Sequence, residues 1–395
     1  MRIDFKTAQI LTSQEARDTL LLFRNQAVDP LHIQESFRGL FPKKIAEALG
    51  ELRALRRRAT HKFAMGLDMF FTKEFLEQAS SASVAAWRAE RFSRAGIKKI
   101  HDPCCGIGSD SIAFAAAGLK VRASDKEEVA VHFARANAEV CGQEGITFLV
   151  ADVETDPPPA GAIFLDPARR RGSRRLMNPA DWSPSPDAIA KVLKGRGAAG
   201  LKLSPAVDLE ILLEVYPEPK EIETVSLKGE AKETLFWYGK VGKKGVRRAT
   251  LLPGGETWAG DPDMERPVGE IGEWIYDPDP ALVRSGLLAA FAHEHGLHLL
   301  DWHIGYLTGG KVVTPFLDRF KVVGTETLDP RKMKALLRKH EVGRLLVRKR
   351  GIAERPHTLE KRFLTRSYGD QTLTLLAARI GDRHIGILGE RETDK

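Results

Sequence analysis

The stretch IHDPCCGIGSDSIAFAAAG, residues 100–118, joins an apolar run of strand length to an apolar run of helical character through a loop with two glycines. A glycine loop between a strand and a helix is typical of α/β folds that bind nucleotides. A dinucleotide loop reads G-x-G-x-x-G, but Ser111 stands here at the third glycine position. Asp102 and Asp110 flank the loop and would repel a pyrophosphate. The loop therefore favours a ligand that carries positive charge and no phosphate.

Strand-like and helical segments alternate around this loop, from residue 97 to about residue 240. The strand-like runs are IKKIHD, LKVRAS, ITFLVAD, AIFLDP and AGLKLSP. Such alternation predicts a parallel sheet with helices on both faces. Two further runs, EIETVSLKGE and ETLFWYGK, follow without a helix between them and predict a terminal antiparallel hairpin.

Four successive predicted strands end in an aspartate, at Asp102, Asp125, Asp152 and Asp166. A single aspartate after a strand is usually a helix cap or a turn former, but ligands of open α/β sheets bind outside the carboxyl ends of the strands. S-adenosylmethionine carries an ammonium and a sulfonium group and no phosphate. We expect Asp102 to accept from its amino group, Asp125 from both ribose hydroxyls and Asp152 from the adenine amino group.

These features resemble the class I S-adenosylmethionine-dependent methyltransferases, with DPCCGIGSD as their first motif. The resemblance covers about residues 70–240 and implies a seven-stranded sheet that ends in a hairpin. The run TKEFLEQASSASVAAWRAERF is similar to the entry helix of trimethylguanosine synthase-like enzymes, which implies that Gln78 and Ser80 line the cofactor pocket. Alternatively, Ser80 or Ser81 caps the helix that follows. The expected cofactor-binding residues are Gln78, Ser80, Asp102, Cys104, Gly106, Gly108, Asp125, Lys126, Asp152 and Val153.

The fourth predicted strand leads into FLDPARRRGSRR, residues 164–175. Methylases that act on base nitrogens often carry Asp/Asn-Pro-Pro-aromatic here, where the carboxylate binds the target amine and the ring stacks on the base. Asp166 and Pro167 match this pattern and are the expected catalytic residues, whereas the next two positions do not match. Trp182 could replace the missing ring, although a core or loop-packing role is the more ordinary one for tryptophan. The run LKLSP, residues 201–205, ends the fifth strand beside Asp166, so Lys202 could lie near this carboxylate, although a structural role is the more ordinary one.

Clustered positive charge points to a polyanionic partner. The net charge is +8, and five arginines follow Asp166, namely Arg169, Arg170, Arg171, Arg174 and Arg175. Thirteen basic residues stand against three glutamates over residues 331–366, among them Arg348, Lys349 and Arg350. Guanidinium groups bind phosphate in bidentate fashion, so we expect both clusters to bind RNA, although charge runs are commonly solvated surface. The basic stretch RALRRRATHK, residues 53–62, either extends the RNA surface or forms an exposed face.

The organisation of the chain predicts a helical N-terminal region at residues 1–95 and a methyltransferase domain at 96–245. Residues 246–270 are rich in glycine, proline and charge and are interpreted as a linker or an irregular excursion. An α/β domain is expected at residues 271–395. Its segments IYDPDPALVRSG and KRGIAERP resemble the THUMP-like domain that follows such methyltransferases. Since THUMP domains belong to RNA-modifying enzymes, this resemblance implies RNA.

Several classes of protein and site are disfavoured. No apolar stretch approaches the ~18 residues that a membrane span requires, and the first residues form no hydrophobic leader, so we expect a cytoplasmic protein without membrane contact. The three cysteines lack the spacing of a disulfide framework or a zinc site. His293 and His295 are two apart on a predicted helix and face different ways, so we expect no metal.

Together these features predict an enzyme that transfers a methyl group from S-adenosylmethionine to a base nitrogen of structured RNA, ribosomal or transfer. Two alternatives stay open. One is an inactive methyltransferase fold that binds RNA or assists ribosome assembly, and failure to bind S-adenosylmethionine would favour it. The other is a methyltransferase of a protein or a small molecule, which would be favoured if substrate affinity did not depend on salt.

Overall fold

The computed structural model describes residues 3–24, 30–168, 170–171, 174–175, 178 and 181–392. The chain divides into two compact units. The first comprises residues 1–222 and 233–245, and the second comprises residues 223–232 and 246–395. Among the described residues, none of the helices combines the length and the apolar character needed to cross a membrane.

Helices occupy the described part of the chain before the first strand. They are α1 (Phe5–Leu11), α2 (Gln14–Leu22), α3 (Pro30–Leu40), α4 (Lys43–Ala59), α5 (Lys73–Gln78) and α6 (Ala82–Arg94). Asp4, Ser13 and Thr72 begin α1, α2 and α5, because each side chain accepts a hydrogen bond from a backbone amide of the first turn. The buried positions of α4 recur three and four residues apart, as in an amphipathic helix.

The seven strands predicted between residues 97 and 240 are all present, together with two short strands that were not predicted, Arg170–Arg171 and Arg174–Arg175. They are β1 (Lys99–Asp102), β2 (Lys120–Asp125), β3 (Ile146–Val150), β4 (Ala162–Leu165), β5 (Arg170–Arg171), β6 (Arg174–Arg175), β7 (Ala198–Leu203), β8 (Glu221–Leu227) and β9 (Glu230–Gly239). The helices among them are α7 (Ser109–Ala116), α8 (Glu128–Val140), α9 (Pro186–Leu193) and α10 (Leu209–Val215). Strands β5 and β6 form a separate two-stranded hairpin.

Apart from β5 and β6, these strands lie in the order β8-β9-β7-β4-β1-β2-β3 and belong to a sheet that has nine strands in the described part of the chain. The pairs among β7, β4, β1, β2 and β3 are parallel, and β9 runs antiparallel to β7. The α/β architecture and the hairpin at the end of the alternating segment are therefore confirmed. Because the parallel strands share one direction, their carboxyl ends meet at one edge of the sheet.

The N-terminal helices share their hydrophobic core with this sheet unit, so they do not form the separate region expected at residues 1–95. Phe37 and Leu49 belong to the same buried cluster as Phe133 of α8. Asn137 of α8 adds a polar link, because its side-chain oxygen accepts from the Phe70 amide at 2.7 Å. Its nitrogen donates to the Phe70 carbonyl at 3.2 Å and to the Ile107 carbonyl at 3.1 Å. The helices thus complete the sheet unit.

The second unit contains a hairpin where a linker was expected. Strands β10 (Val246–Leu252) and β11 (Glu256–Gly260) pair antiparallel, and β10 is the hydrogen-bonded neighbour of β8. Ala249 and Thr250 of β10 are fully buried, and the Thr250 hydroxyl lies 2.6 Å from the Glu223 carboxylate. The linker interpretation of residues 246–260 was wrong because the turn residues Pro253, Gly254 and Gly255 dominate the local composition and mask two short strands.

A mixed sheet with four helices makes up the rest of the second unit. Its strands are β12 (Trp274–Pro278), β13 (His298–Asp301), β14 (Ile304–Gly309), β15 (Leu317–Thr327), β16 (Val342–Arg350), β17 (Gln371–Ile380) and β18 (Arg383–Glu392). The order is β13-β14-β12-β15-β18-β17-β16, in which only the β16–β17 pair is parallel among the described pairs. The helices are α11 (Pro280–Arg284), α12 (Leu288–Glu294), α13 (Pro330–Lys339) and α14 (Pro356–Phe363).

Candidate active site

A cavity of about 890 Å³ opens where the parallel strands of the first unit end. Most residues predicted from the sequence to bind the cofactor or the acceptor line it, namely Gln78, Ser80, Cys104, Gly106, Asp125, Lys126, Asp152, Val153, Asp166 and Pro167. Asp102 and Gly108 are the predicted residues that do not. The cavity also receives Asp110, Ser109 and Lys202, which the sequence analysis did not assign to the ligand.

The two loop glycines have different structural roles. Gly106 and Gly108 both have positive φ, +52° and +87°, a conformation that favours glycine. A Cβ at Gly108 would lie 3.1 Å from the Cβ of Ala134 on α8, so this position needs glycine for helix packing. Gly106 faces the cavity, and its amide donates to Asp125 Oδ2 at 2.9 Å. Gly108 therefore allows the loop to pack closely against α8, whereas Gly106 faces the cavity.

Asp125 is fixed at the end of β2 by backbone amides. Its Oδ2 accepts from Gly106 and its Oδ1 accepts from the Glu127 amide at 3.0 Å. Burial raises the pKa of Asp125, and these two hydrogen bonds oppose that rise. Each carboxylate oxygen can accept a second hydrogen bond. The backbone thus fixes the direction of the Asp125 carboxylate, and each of its oxygens keeps one lone pair for a further hydrogen bond.

The segment 183–185 forms one rim of the cavity. Lys126 Nζ donates to Ser183 Oγ at 2.7 Å, and the Ser185 amide donates to Glu154 Oε1 at 2.5 Å. Asp152 lies two residues beyond β3, and its Oδ1 accepts from the Glu154 amide at 3.0 Å. Lys126 and Glu154 thus tie the rim to the loops after β2 and β3. Trp182, beside this rim, is buried in the core rather than placed as a ring over the site.

Asp102 lies beneath the loop and not in the cavity. Only 1% of its surface is exposed, and its Oδ2 accepts from the Ser111 hydroxyl at 2.6 Å. Burial raises the pKa of Asp102 to about 8, and repulsion from Asp110 adds to this effect. The loop carboxylate that faces the cavity is Asp110. We therefore expect Asp110, in the first turn of α7, to lie beside the ligand's amino group instead of Asp102 at the end of β1.

Asp102→Asn is expected to stabilise the unliganded protein progressively as pH rises from about 5 to 8. The folded protein keeps a proton on Asp102 through this range, whereas the unfolded chain loses it above about 4. The native state therefore binds more protons, and wild-type stability falls as pH rises by at most about 1.4 kcal/mol per pH unit from this group. Asparagine does not titrate and removes that slope.

Urea unfolding at several pH values measures this difference. Asp263→Asn, at an exposed carboxylate, is the control and should show a pH-independent difference from wild type. A constant difference between Asp102→Asn and wild type would mean that Asp102 is ionised in the folded protein at neutral pH.

Asp110 is held by a buried arginine that the sequence analysis did not single out. Arg88 of α6 is fully buried, its Nη2 lies 2.6 Å from Asp110 Oδ1, and it also pairs with Glu233 of β9. Burial disfavours the guanidinium charge, but the surrounding carboxylates outweigh it and raise the pKa of Arg88. A signal was available, because Arg88 lies within the buried stripe of Val84, Ala85, Ala89 and Phe92 on one helix face.

A second buried cation meets the predicted catalytic carboxylate. Lys202 Nζ lies 2.5 Å from Asp166 Oδ2, and both residues line the cavity. Lys202 is only 6% exposed, so its partner is this carboxylate rather than solvent. Of the two interpretations of Lys202, the one that places it near Asp166 agrees with this geometry, since its ammonium group lies inside the candidate site.

The cavity suits a positively charged ligand with hydrogen-bonding groups. Seven carboxylates and three lysines line it. Among the described residues, the buried hydroxyls of Ser80 and Ser109 have no hydrogen-bond partner, and both face this space. Buried hydroxyls without partners are costly, so a polar ligand would satisfy them. S-adenosylmethionine, with a net positive charge and several polar groups, fits this lining, whereas a nucleotide phosphate does not.

The basic stretch of residues 53–62 turns partly inward, which neither of its two interpretations anticipated. Arg56 is buried and donates to the carbonyls of Asp68 and Met69 at 2.7 and 2.8 Å. Lys62 Nζ donates to the carbonyls of Leu76 and Ala79 at 2.7 and 2.9 Å. These bonds close the end of α5, so Lys62 helps to place the segment of Gln78 and Ser80 along the cavity.

The residues predicted to bind RNA in the second unit are largely used within the protein. Arg348 pairs with Asp277 at 2.6 Å and with Asp318 at 2.7 Å, and Arg350 pairs with Asp277 at 2.7 Å. Lys349 Nζ donates to the Ile352 carbonyl at 2.7 Å. Their charges are therefore neutralised or bound locally, in contrast to the expected RNA surface.

The arginines after Asp166 can be located only in part. Arg169 lies outside the described residues, and so do the side chains of Arg170, Arg171, Arg174 and Arg175 on the β5–β6 hairpin. Their binding of RNA stays a prediction.

No metal centre is evident in the part of the chain that the structure describes. No group of three histidine, cysteine, aspartate or glutamate side chains there is arranged to hold an ion. In the histidine cluster, His293 bonds to the Glu265 carbonyl at 2.7 Å, whereas His295 stacks on Phe291. Burial raises the pKa of Cys104 and Cys105 well above the usual thiol value, and neighbouring carboxylates reinforce it.

Comparison with known proteins bears directly on this cavity. The sequence profile of the THUMP domain-like family matches residues 317–391, within the second unit. The chain is 33% identical over 340 residues to a Mycobacterium tuberculosis protein named an uncharacterized S-adenosylmethionine-dependent methyltransferase, found in two strains. This match covers 84% of the chain and 92% of the relative. The chain belongs to the S-adenosylmethionine-dependent methyltransferases.

Two further likenesses extend the comparison. A crystal structure of a putative methyltransferase from Porphyromonas gingivalis W83 has a TM-score of 0.77 to this methyltransferase, with 21% identity and full coverage of both chains, and shares its fold. The 23S rRNA (uracil(1939)-C(5))-methyltransferase RlmD of a Marinomonas species is 28% identical over 145 residues, which are 32% of this chain and 31% of that protein.

The main expectations from the sequence are confirmed by these findings. The protein is a class I methyltransferase with a C-terminal THUMP-like domain, and its cofactor is S-adenosylmethionine. The alternative of an inactive fold is therefore disfavoured.

Proposed function

We propose that this methyltransferase acts on structured RNA, ribosomal or transfer, and methylates a nitrogen of a base. The observation that carries the RNA assignment is a basic face on α13 in the THUMP-like region. Arg331, Lys334 and Arg338 are spaced three and four residues apart and so lie on one side of the helix. Met333 and Leu337 are buried on the opposite side. The charged face is therefore directed outward.

The cations of this face are available to a partner. Within the described part of the chain, Arg331, Lys334 and Arg338 form no ion pair, in contrast to Arg348 and Arg350. Clustered cations of this kind bind a phosphate backbone by releasing its counterions. Close to the end of α13, the guanidinium groups of Arg338 and Arg366 lie 5.5 and 5.8 Å from the ring centroid of Tyr368. Such arginine and aromatic groups also suit stacking with bases.

The relatives support the same class of acceptor. RlmD, to which part of the chain is similar, is named as a methyltransferase of 23S rRNA. The profile match to a THUMP-like domain points the same way, because THUMP domains belong to RNA-modifying enzymes.

For the first unit we propose one role for each cavity carboxylate. Asp125 accepts from the two ribose hydroxyls of S-adenosylmethionine, Asp152 from the adenine amino group, and Asp110 from the ammonium group. The hydroxyl groups of Ser80 and Ser109 form hydrogen bonds with the same ligand. S-adenosylmethionine supplies the methyl group, and no strong acid or base is needed beyond correct placement of the acceptor. Asp166 and the adjoining Pro167 orient the amine that receives it.

Transfer of labelled methyl groups to total RNA tests this function. The RNA is taken from cells that lack the enzyme, and modified nucleosides are identified by mass spectrometry. Label in one nucleoside, absent with Asp166→Ala, is expected. If wild-type enzyme binds S-adenosylmethionine but labels protein or small molecules and not this RNA, the RNA assignment is wrong.

The triple variant Arg331→Glu, Lys334→Glu, Arg338→Glu is expected to lower RNA affinity at least tenfold at physiological salt. It removes three cations from the proposed phosphate contacts, so the dependence of affinity on salt should also become shallower. Fluorescence anisotropy with a labelled ribosomal RNA fragment measures both quantities. The control reverses the same number of charges at Lys98, Lys99 and Lys120, which are exposed at the amino ends of β1 and β2. Equal losses in both triple variants would show a nonspecific effect of net charge.

A further inference from the structure

The strand register places Asp166 and Lys202 side by side. Strands β4 and β7 are parallel neighbours in which Leu165, the last residue of β4, is opposite Leu201, so the residue that directly follows β4 lies beside the next residue of β7. These next residues are Asp166 and Lys202. The resulting ion pair of 2.5 Å therefore follows from the backbone of the sheet and not from a mobile loop.

The lysine of this pair is almost removed from solvent, whereas the carboxylate is partly exposed towards the cavity. The Lys202 side chain is 7% exposed and the Asp166 side chain is 23% exposed. The neighbouring Leu201 and Leu203 on β7 are fully buried, so the lysine has little freedom to turn away. A buried ammonium that loses its carboxylate would be strongly unfavourable. The contact is therefore a fixed feature of the site.

The ion pair uses only one of the two carboxylate oxygens of Asp166. Lys202 takes Oδ2, and Oδ1 accepts no hydrogen bond from the described residues. The side chain of Asp166 cannot rotate without breaking the ion pair. One oxygen of fixed direction is thus left for the molecule that receives the methyl group.

We propose that Lys202 is a positioning residue for methyl transfer, which aims Oδ1 of Asp166 at the acceptor and selects an uncharged nitrogen that carries a hydrogen. The proposal rests on the role given to Asp166 in the proposed function. A carboxylate whose charge is already balanced favours a neutral N–H donor. A cationic protein side chain would meet the ammonium of Lys202 at close range, and like charges repel.

The proton balance of the reaction agrees with this arrangement. The acceptor nitrogen bonds to the methyl carbon while the carbon–sulfur bond breaks and leaves its electron pair on sulfur. The nitrogen must then lose the hydrogen that it carried. Oδ1 of Asp166 accepts this proton and passes it to water. The base nitrogens that meet the requirement are the exocyclic amines and the ring nitrogens that carry a hydrogen.

Two variants and one control test the proposal with labelled S-adenosylmethionine and total RNA from cells that lack the enzyme. Lys202→Met is expected to lower kcat at least thirtyfold, while the Kd for S-adenosylmethionine by calorimetry changes less than threefold. Lys202→Arg restores a cation and is expected to return kcat to within about fivefold of wild type. Lys191→Met, at an exposed lysine on α9, should match wild type. Thermal unfolding of each variant shows whether it is folded.

The outcomes separate this proposal from the RNA assignment. Methyl groups on a carbon, on a ribose oxygen or on a ring nitrogen without a hydrogen would overturn the selection of an N–H acceptor, although RNA would stand as substrate. A folded Lys202→Met variant with wild-type kcat would overturn the positioning role. If label appears in protein and not in RNA, the RNA assignment fails, and the same variants are compared on that protein.

Discussion

Replacement of Arg88 by methionine is expected to lower the free energy of unfolding by about 3–5 kcal/mol. Methionine fills much of the volume but leaves Asp110 and Glu233 without their cation, and both carboxylates lie in the interior. Arg88 also joins three elements, since it belongs to α6, Asp110 to α7 and Glu233 to β9. Urea unfolding followed by circular dichroism measures the change.

The control lies on the same helix. Arg94 pairs with Glu90 at 2.5 Å, but its side chain is 70% exposed, so Arg94→Met should cost less than about 1 kcal/mol. Adding Asp110→Asn and Glu233→Gln to Arg88→Met should recover part of the loss, because neutral side chains are less costly to bury than charges. A loss below 1 kcal/mol for Arg88→Met alone would contradict the buried triad.

Replacement of Asp125 by alanine is expected to weaken binding of S-adenosylmethionine by a factor of at least one hundred. The proposed contacts are two hydrogen bonds to a charged acceptor, each contributing about 1.5–3 kcal/mol. The substitution also leaves the amides of Gly106 and Glu127 without their acceptor at the cavity wall. Isothermal titration calorimetry with the purified enzyme measures the affinity.

A second ligand makes this result specific to the ribose. S-adenosylhomocysteine has the same ribose as S-adenosylmethionine and lacks only the methyl group on sulfur. The affinity of the variant for S-adenosylhomocysteine should therefore fall by the same factor. Glu128→Ala, at an exposed carboxylate in the first turn of α8, should change neither affinity more than about twofold. Retention of wild-type affinity within threefold by a folded Asp125→Ala variant would show that the ribose is bound elsewhere.

The sheet and most of the cavity could be predicted because both follow from periodic patterns in the sequence. Strand and helix runs follow from hydrophobic spacing, and aspartates at successive strand ends meet at one edge whatever the side-chain details. Such a pattern cannot tell which of two neighbouring acids faces the ligand. Asp102 and Asp110 both flank the loop, and their difference depends on the side-chain directions at the end of β1 and in α7.

Charge runs were less informative because a sequence window omits distant partners. Arg348 and Arg350 looked available for RNA, but Asp277 lies about seventy residues away in the chain and next to them in space. The buried contacts of Arg56 and Lys62 were hidden in the same way. The sequence alone leaves two interpretations of Lys202, since its contact with Asp166 depends on the pairing register of β4 and β7. The local sequence shows where charged residues lie in the chain, but only the tertiary structure shows whether a charged side chain is paired within the protein or available to a ligand.

The bond between Asn137 and the backbone of Phe70 constrains the order in which the nascent chain can fold. During synthesis the N-terminal helices emerge from the ribosome well before residue 137 does. Their core also includes Phe133 and Ala136 of α8, so it is complete only after that helix has been translated. A stalled or truncated product that ends before residue 133 would leave exposed the apolar surface that Phe133 and Ala136 cover, and such fragments should be substrates for chaperones and proteases.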